Sequence, residues 1–118
     1  MKKILVVDDN EDILQIMRLF LNSKGFKVLT EANGQETYKQ VDLYQPDLII
    51  LDVFLGNSDG RQICNELKND ERTKAIPIII FSANAKPEEV MSACKADDFL
   101  PKPFELAELL KVVNVYLN

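Results

Sequence analysis

Apolar residues fall into two kinds of pattern along this chain. Runs too short for a helix occupy Ile4 to Val7, Lys27 to Thr30, Leu48 to Leu51, Ile76 to Phe81 and Phe99 to Leu100, and predict five strands. Between them apolar residues recur at helical spacing. Ile13, Ile16, Met17, Phe20 and Leu21 form one stripe, with Asn10 as N-cap, Glu11 and Asp12 in the first turn, and Gly25 just past the end. Leu106, Leu109, Leu110, Val113 and Leu117 follow Pro103 in a last helix. Pro87, Glu88 and Glu89 open a shorter helix through Val90, Met91 and Cys94, and weaker helical patterns cover 35–43 and 61–69. The strands are nearly all apolar rather than alternating. Five such strands interleaved with five helices predict an α/β fold whose parallel sheet is covered on both faces.

In open sheets of this kind ligands bind beyond the carboxyl ends of the strands. That rule brings together residues far apart in the chain: Asp8 and Asp9 after the first strand, Asp52 at the end of the third, Ser82 at the end of the fourth and Lys102 after the fifth. Singly, each has an ordinary explanation, as a complement to a helix N-terminus, a strand end, a turn residue or a solvated lysine. Together they pose an electrostatic problem. Two carboxylates about 4 Å apart repel by roughly 4 kcal/mol at an effective dielectric of 20, so three need a cation or a raised pKa. Magnesium suits such all-oxygen sites and keeps affinity for phosphate oxygens. A carboxylate beside Mg²⁺, a lysine and a hydroxyl can accept a phosphoryl group.

Composition narrows the field further. With no histidine among 118 residues, the chain cannot carry a Ser-His-Asp or Cys-His centre, a histidine metal site or a phosphohistidine of its own. Cys64 and Cys94 lack metal-ligand spacing and read as two buried thiols, on different helices, in a reducing compartment. The formal net charge is −5, and residues 1–59 hold ten acidic against six basic side chains, so no basic footprint for direct nucleic-acid contact exists. No apolar stretch approaches a membrane span. The run after Lys2-Lys3 ends at Asp8, too soon for a signal peptide. One domain, residues 1–118, in the cytoplasm is the expectation.

Asp8-Asp9 after Leu5-Val6-Val7, Asp52 after Leu48 to Leu51, Ser82-Ala83 and the stretch from Ala96 to Phe104 resemble, over the whole chain, the receiver domain of two-component response regulators. The resemblance implies a doubly wound, flavodoxin-like fold with strand order 2-1-3-4-5. It implies that Asp52 takes a phosphoryl group from the phosphohistidine of a sensor histidine kinase or phosphotransfer protein. Asp9 and Asp52 would bind Mg²⁺ directly, Asp8 through water, and Phe54 through its backbone carbonyl. Ser82 and Lys102 would contact the phosphoryl oxygens and Phe99 would be the aromatic switch. The face made by the fourth helix, fifth strand and fifth helix would then change its affinity for a downstream protein of unknown identity. A cis peptide at Lys102-Pro103 is also implied.

Several positions depart from the family pattern. Gly56 stands where proline is usual, which predicts a less rigid loop over 53–59. Phe54 is bulky beside the acceptor, and its ring could shield an acyl phosphate from water. Lys95 replaces the usual glycine, and the stretch from Ser82 to Lys102 is slightly shorter than is common. Two other readings use the same residues. An aspartate-nucleophile phosphatase of the haloacid dehalogenase type would want a second aspartate two positions after the nucleophile, but Phe54 follows Asp52 and Asn10 follows Asp8. A binding module independent of phosphorylation would be expected to have lost Asp9, Asp52 or Lys102, and all are present.

Overall fold

The computed structural model describes residues 1–83 and 85–117, so the expected domain of 1–118 has Asn84 and Asn118 outside the described residues. Five strands, β1 (Lys3–Val7), β2 (Lys27–Glu31), β3 (Leu48–Asp52), β4 (Ile78–Ser82) and β5 (Asp98–Pro101), alternate with α1 (Glu11–Ser23), α2 (Thr37–Tyr44), α3 (Gly60–Lys68), α4 (Pro87–Cys94) and α5 (Leu106–Leu117). All pairings in the main sheet are parallel and its order is β2-β1-β3-β4-β5. The expected doubly wound architecture is therefore present.

Side-chain parity sorts the helices. Leu5, Val7, Ile49, Leu51, Ile78 and Ile80 point to one face, where Val41 of α2, Ile63 and Leu67 of α3, and Val90 of α4 cover them. Their neighbours Ile4, Val6, Leu48, Ile50, Ile79 and Phe81 point to the other, under α1 and α5. Both faces are buried, which is why the strands read as unbroken apolar runs.

The N-terminal cap of α1 is as expected: Asn10 Oδ1 accepts the N–H groups of Asp12 at 2.9 Å and Ile13 at 3.3 Å. Its buried stripe is Leu14, Met17 and Leu21, however, and the predicted Ile16 is 54% exposed. The expected stripe ran along one edge of the apolar surface, so only Met17 and Leu21 of it lie at the centre of the contact. In α5, Leu109, Val113 and Leu117 are buried while Leu106 remains exposed.

The segment after β3 carries local structure that the sequence pattern did not predict. Phe54–Leu55 and Ser58–Asp59 pair antiparallel in a small hairpin with Phe54 opposite Asp59. Gly56 has φ 61° at the first of the two turn residues, a conformation proline cannot adopt. Asp97 and Asp98, part of the stretch that carried the resemblance, tie down the start of β5. The Asp97 carboxylate accepts Lys68 Nζ at 2.9 Å and the Ile78 N–H at 2.8 Å, and the Tyr116 hydroxyl donates to Asp98 at 3.0 Å.

The glycine position filled by Lys95 is a left-handed one: Lys95 closes α4 at φ 56°, its N–H donating to the Met91 carbonyl at 3.2 Å. A side chain is disfavoured there by steric contact between Cβ and the backbone. Lys95→Gly should therefore stabilise the fold by about 1 kcal/mol, seen as a higher urea midpoint at unchanged slope.

Candidate functional site

The sheet order places the carboxyl ends of β1 and β3 side by side, with β4 next to β3 and β5 at the edge. At these ends the chain gathers the predicted residues. Carboxylate oxygens of Asp8, Asp9 and Asp52 lie within 4.8 Å of one another. Asp8 and Asp52 are buried, and Asp9 is exposed. Lys102 Nζ donates to Asp8 Oδ2 at 2.8 Å and lies 3.6 Å from Asp52 Oδ2.

Each side chain is held by local structure. Asp8 Oδ1 accepts the Asn10 N–H at 2.9 Å, which with Lys102 occupies both of its oxygens. Asp9 makes no side-chain hydrogen bond among the described residues. Asp52 ends β3 in register with Phe81, with the N–H groups of Val53 and Phe54 next to its carboxylate. The Lys102 N–H donates to the Ser82 carbonyl at 3.0 Å, which fastens the end of β5 to the end of β4. Its Nζ also sits 4.5 Å from the centroid of the Phe81 ring, a cation–π contact within a desolvated site. The Lys102-Pro103 peptide is cis, as the resemblance implied.

Ser82 is 1% exposed and its Oγ has no hydrogen-bond partner among the described residues. A buried hydroxyl without a partner costs free energy, so this atom is open to an acceptor entering the site. Phe99, paired with Ile80 in the sheet, is half-buried against the α2, α3 and α4 side of the core, neither fully enclosed nor projecting into solvent. The Phe54 side chain is 53% exposed on the hairpin beside Asp52.

Two features of the site went unread in the sequence. One is Gly60, where a Cβ would stand 1.9 Å from the Asp52 carbonyl oxygen while the Gly60 N–H donates to Val53 O at 2.7 Å. Only glycine fits so close to the backbone of the reactive strand end, and the Asp59-Gly60 pair after a hairpin was the available signal. The other is the Phe81 ring beneath Lys102, hidden in what read as an ordinary core strand.

Electrostatics make Asp52 unusual. Burial, followed by repulsion from Asp8, lifts its pKa from 3.8 to about 6, against the opposing pull of Lys102 and of the Val53 and Phe54 N–H groups. The net effect is upward because burial outweighs an ammonium that two carboxylates share. Such a cluster fits a hard divalent cation: three oxygens converge, the exposed Asp9 is uncommitted, and the site carries excess negative charge.

Carboxylates, a lysine and a buried hydroxyl thus converge at the carboxyl edge of a parallel doubly wound sheet. Comparison with known proteins identifies the family. Residues 4–114 match the family model for the response regulator receiver domain, and the chain belongs to that family. It is 36% identical over 119 residues to the alkaline phosphatase synthesis transcriptional regulatory protein PhoP of Bacillus subtilis, covering 99% of this chain and 49% of that protein. The chain thus spans about half the length of the curated relatives it matches. Among solved structures it superimposes on the Vibrio cholerae chemotaxis protein CheY4 with a TM-score of 0.91 at 30% identity, covering 98% of both chains. It also resembles the receiver domain of the sensor histidine kinase PA1611 of Pseudomonas aeruginosa, solved with a magnesium ion in its active site cleft, with a TM-score of 0.88 at 29% identity and coverage of 98% and 96%. No helix among the described residues is long and apolar enough to cross a membrane.

The raised Asp52 value carries a pH prediction for protein kept free of divalent cations. The folded state holds this proton more tightly than the unfolded chain does. Its contribution to stability is therefore complete below about pH 4 and is lost as pH rises through about 6. Asp52→Asn removes the buried charge, so in EDTA it should exceed the wild type by about 1–3 kcal/mol above pH 6, with the gap closing below pH 4. Denaturant midpoints across that range check it.

Proposed function

We propose that residues 1–118 form one receiver domain in which Asp52 accepts a phosphoryl group from the phosphohistidine of a histidine kinase or phosphotransfer protein. The observation that carries the reading is the Asp52 carboxylate, buried yet reachable, 3.6 Å from Lys102 at the edge where Asp8 and Asp9 converge. A carboxylate oxygen of Asp52 attacks phosphorus, the P–N bond to the donor imidazole breaks, and the imidazole leaves. The chain needs no histidine for its own part, which agrees with its composition. Asp9, Asp52 and the Phe54 carbonyl, with Asp8 behind a water, would hold Mg²⁺, which supplies the positive charge that the cluster lacks.

The remaining residues act on the transferred group. Lys102 moves its charge from Asp8 toward the phosphoryl oxygens as Asp52 ceases to be a free carboxylate. Ser82 Oγ, without a partner among the described residues, donates to one of those oxygens. Ser82 stands beside the β5 edge that carries Phe99, so its movement opens space for the half-buried ring, and the surface of α4, β5 and α5 changes for a downstream protein. Phenylalanine has no hydroxyl to desolvate, so inward and outward rings differ little in energy and the switch is shallow, of the order of 1–3 kcal/mol. Slow hydrolysis of the acyl phosphate, aided by the same residues, resets the domain, and the exposed Phe54 ring screens it from water. In this reading the domain works in the cytoplasm and contacts no nucleic acid itself.

Incubation with acetyl phosphate and Mg²⁺ tests the assignment by intact mass. A single phosphoryl addition is expected in the wild type and none in Asp52→Asn, whereas Lys102→Ala should be labelled more slowly. Continued modification of Asp52→Asn at another residue would overturn the assignment. Catalytic turnover of phosphate monoesters would favour a phosphatase instead.

A further inference from the structure

The two cysteines take no part in the site described above, yet they meet between α3 and α4. Cys64 on α3 and Cys94, the last residue of α4, are both free and fully buried. Cys64 Sγ lies 3.2 Å from the Cys94 carbonyl oxygen, and Cys94 Sγ lies 3.1 Å from that of Val90. The thiols also interact with each other. The neighbouring Cys94 and burial push the Cys64 thiol up, while the proximity of Cys64, with help from the Ala96 N–H and Arg61, brings Cys94 down to about 7. Cys94 is thus the readier of the two to act as a thiolate. Oxidation of a pair begins from such an arrangement, because the thiolate is the nucleophile.

Burial would keep an oxidant out of a rigid interface, but α4 is weakly held. It has eight residues, no side-chain hydrogen bond capping its N-terminus at Lys86, and a left-handed lysine at its C-cap. Of its side chains only Val90 and Cys94 are buried. A short helix with so few anchors opens locally at a free-energy cost below that of global unfolding. Opening of its last turn brings Cys94 into solvent while Cys64 stays on α3.

We propose that Cys64 and Cys94 form a reversible disulfide that fastens α4 to α3 when the protein meets a hydroperoxide. The Cys94 thiolate attacks the terminal peroxide oxygen, the O–O bond breaks, and a sulfenic acid forms as the hydroxide leaving group takes a proton to become water. The Cys64 sulfur then attacks the sulfenic sulfur, the S–O bond breaks, and the departing hydroxide takes the Cys64 proton and leaves as a second water. Two thiols are oxidised and one hydrogen peroxide is reduced to two waters. A dithiol reductant restores the pair by exchange. The consequence for signalling rests on the phosphoacceptor reading: α4 flanks the β5 edge that carries Phe99, so a fastened α4 hinders the rearrangement that phosphorylation drives.

The whole chain, treated with hydrogen peroxide in the absence of any phosphodonor and then alkylated in denaturant, tests the bond. Because the chain has two cysteines, the expected product is a monomer that has lost two hydrogen atoms, takes up no maleimide, and regains both thiols with dithiothreitol. A peptide joining the Cys64 and Cys94 segments should appear without any variant being needed, and Cys64→Ala should instead accumulate oxygen on Cys94. Oxygen added to wild-type cysteines without loss of hydrogen, disulfide-linked dimers, or two free thiols after treatment that oxidises the urea-unfolded chain would each overturn the proposal. Acetyl phosphate labelling then separates the two readings. The oxidised form should be labelled several-fold more slowly than the reduced form, equal rates would overturn the restraint on α4, and absence of labelling in the reduced form would count against Asp52 while leaving the disulfide standing.

Discussion

The ammonium of Lys102, placed between the carboxylates of Asp8 and Asp52, is the contact on which the site depends. Two buried carboxylates separated by so little would otherwise repel strongly or take up protons. One lysine satisfies Asp8 fully, at 2.8 Å, and Asp52 only in part, at 3.6 Å. Burial, and then Asp8, raise the Asp52 pKa further than the shared lysine can lower it, and the cluster is left short of positive charge. A divalent cation would answer that deficit by adding positive charge.

Placing Lys102 correctly requires the whole sheet. Its backbone is fixed by the hydrogen bond to Ser82 at the end of β4, and β4 is fixed by its register with β3, where Asp52 pairs with Phe81. A slip of one residue would turn Asp52 and Ser82 to the opposite faces and bury the wrong apolar set beneath α1 and α5. The same parity that divides the core into two layers therefore aims the reactive side chains. Gly60 adds the closest tolerance, since the chain returning from the hairpin passes against the Asp52 carbonyl with no space for a Cβ.

Much of this was legible before any coordinates. The five strands, the five helices and the convergence of Asp8, Asp9, Asp52, Ser82 and Lys102 follow from apolar runs and from the rule that such sheets bind ligands at their carboxyl ends. The strand order came only with the resemblance, because five buried parallel strands have no local signal for their neighbours. Ile16 was misassigned since periodicity gives a face but not its centre, and the neighbouring elements decide which edge stays bare. The hairpin after Asp52 was missed because two-residue strands carry no pattern, and the turn that the positive φ of Gly56 makes was not read with it. Contacts between distant positions, such as Phe81 under Lys102 or Cys64 against Cys94, depend on packing and are invisible to spacing alone.

The central claim is that the three carboxylates form a cation site belonging to the folded state, and thermal unfolding as a function of Mg²⁺ tests it most directly. A ligand that binds only the folded chain raises its melting temperature in proportion to the logarithm of the concentration above Kd. The wild type should show that rise, and Asp9→Ala, which keeps Lys102, Asp8 and Asp52 in place but removes the exposed carboxylate, should lose most of it. An equal rise in both proteins would put the cation elsewhere and contradict the account.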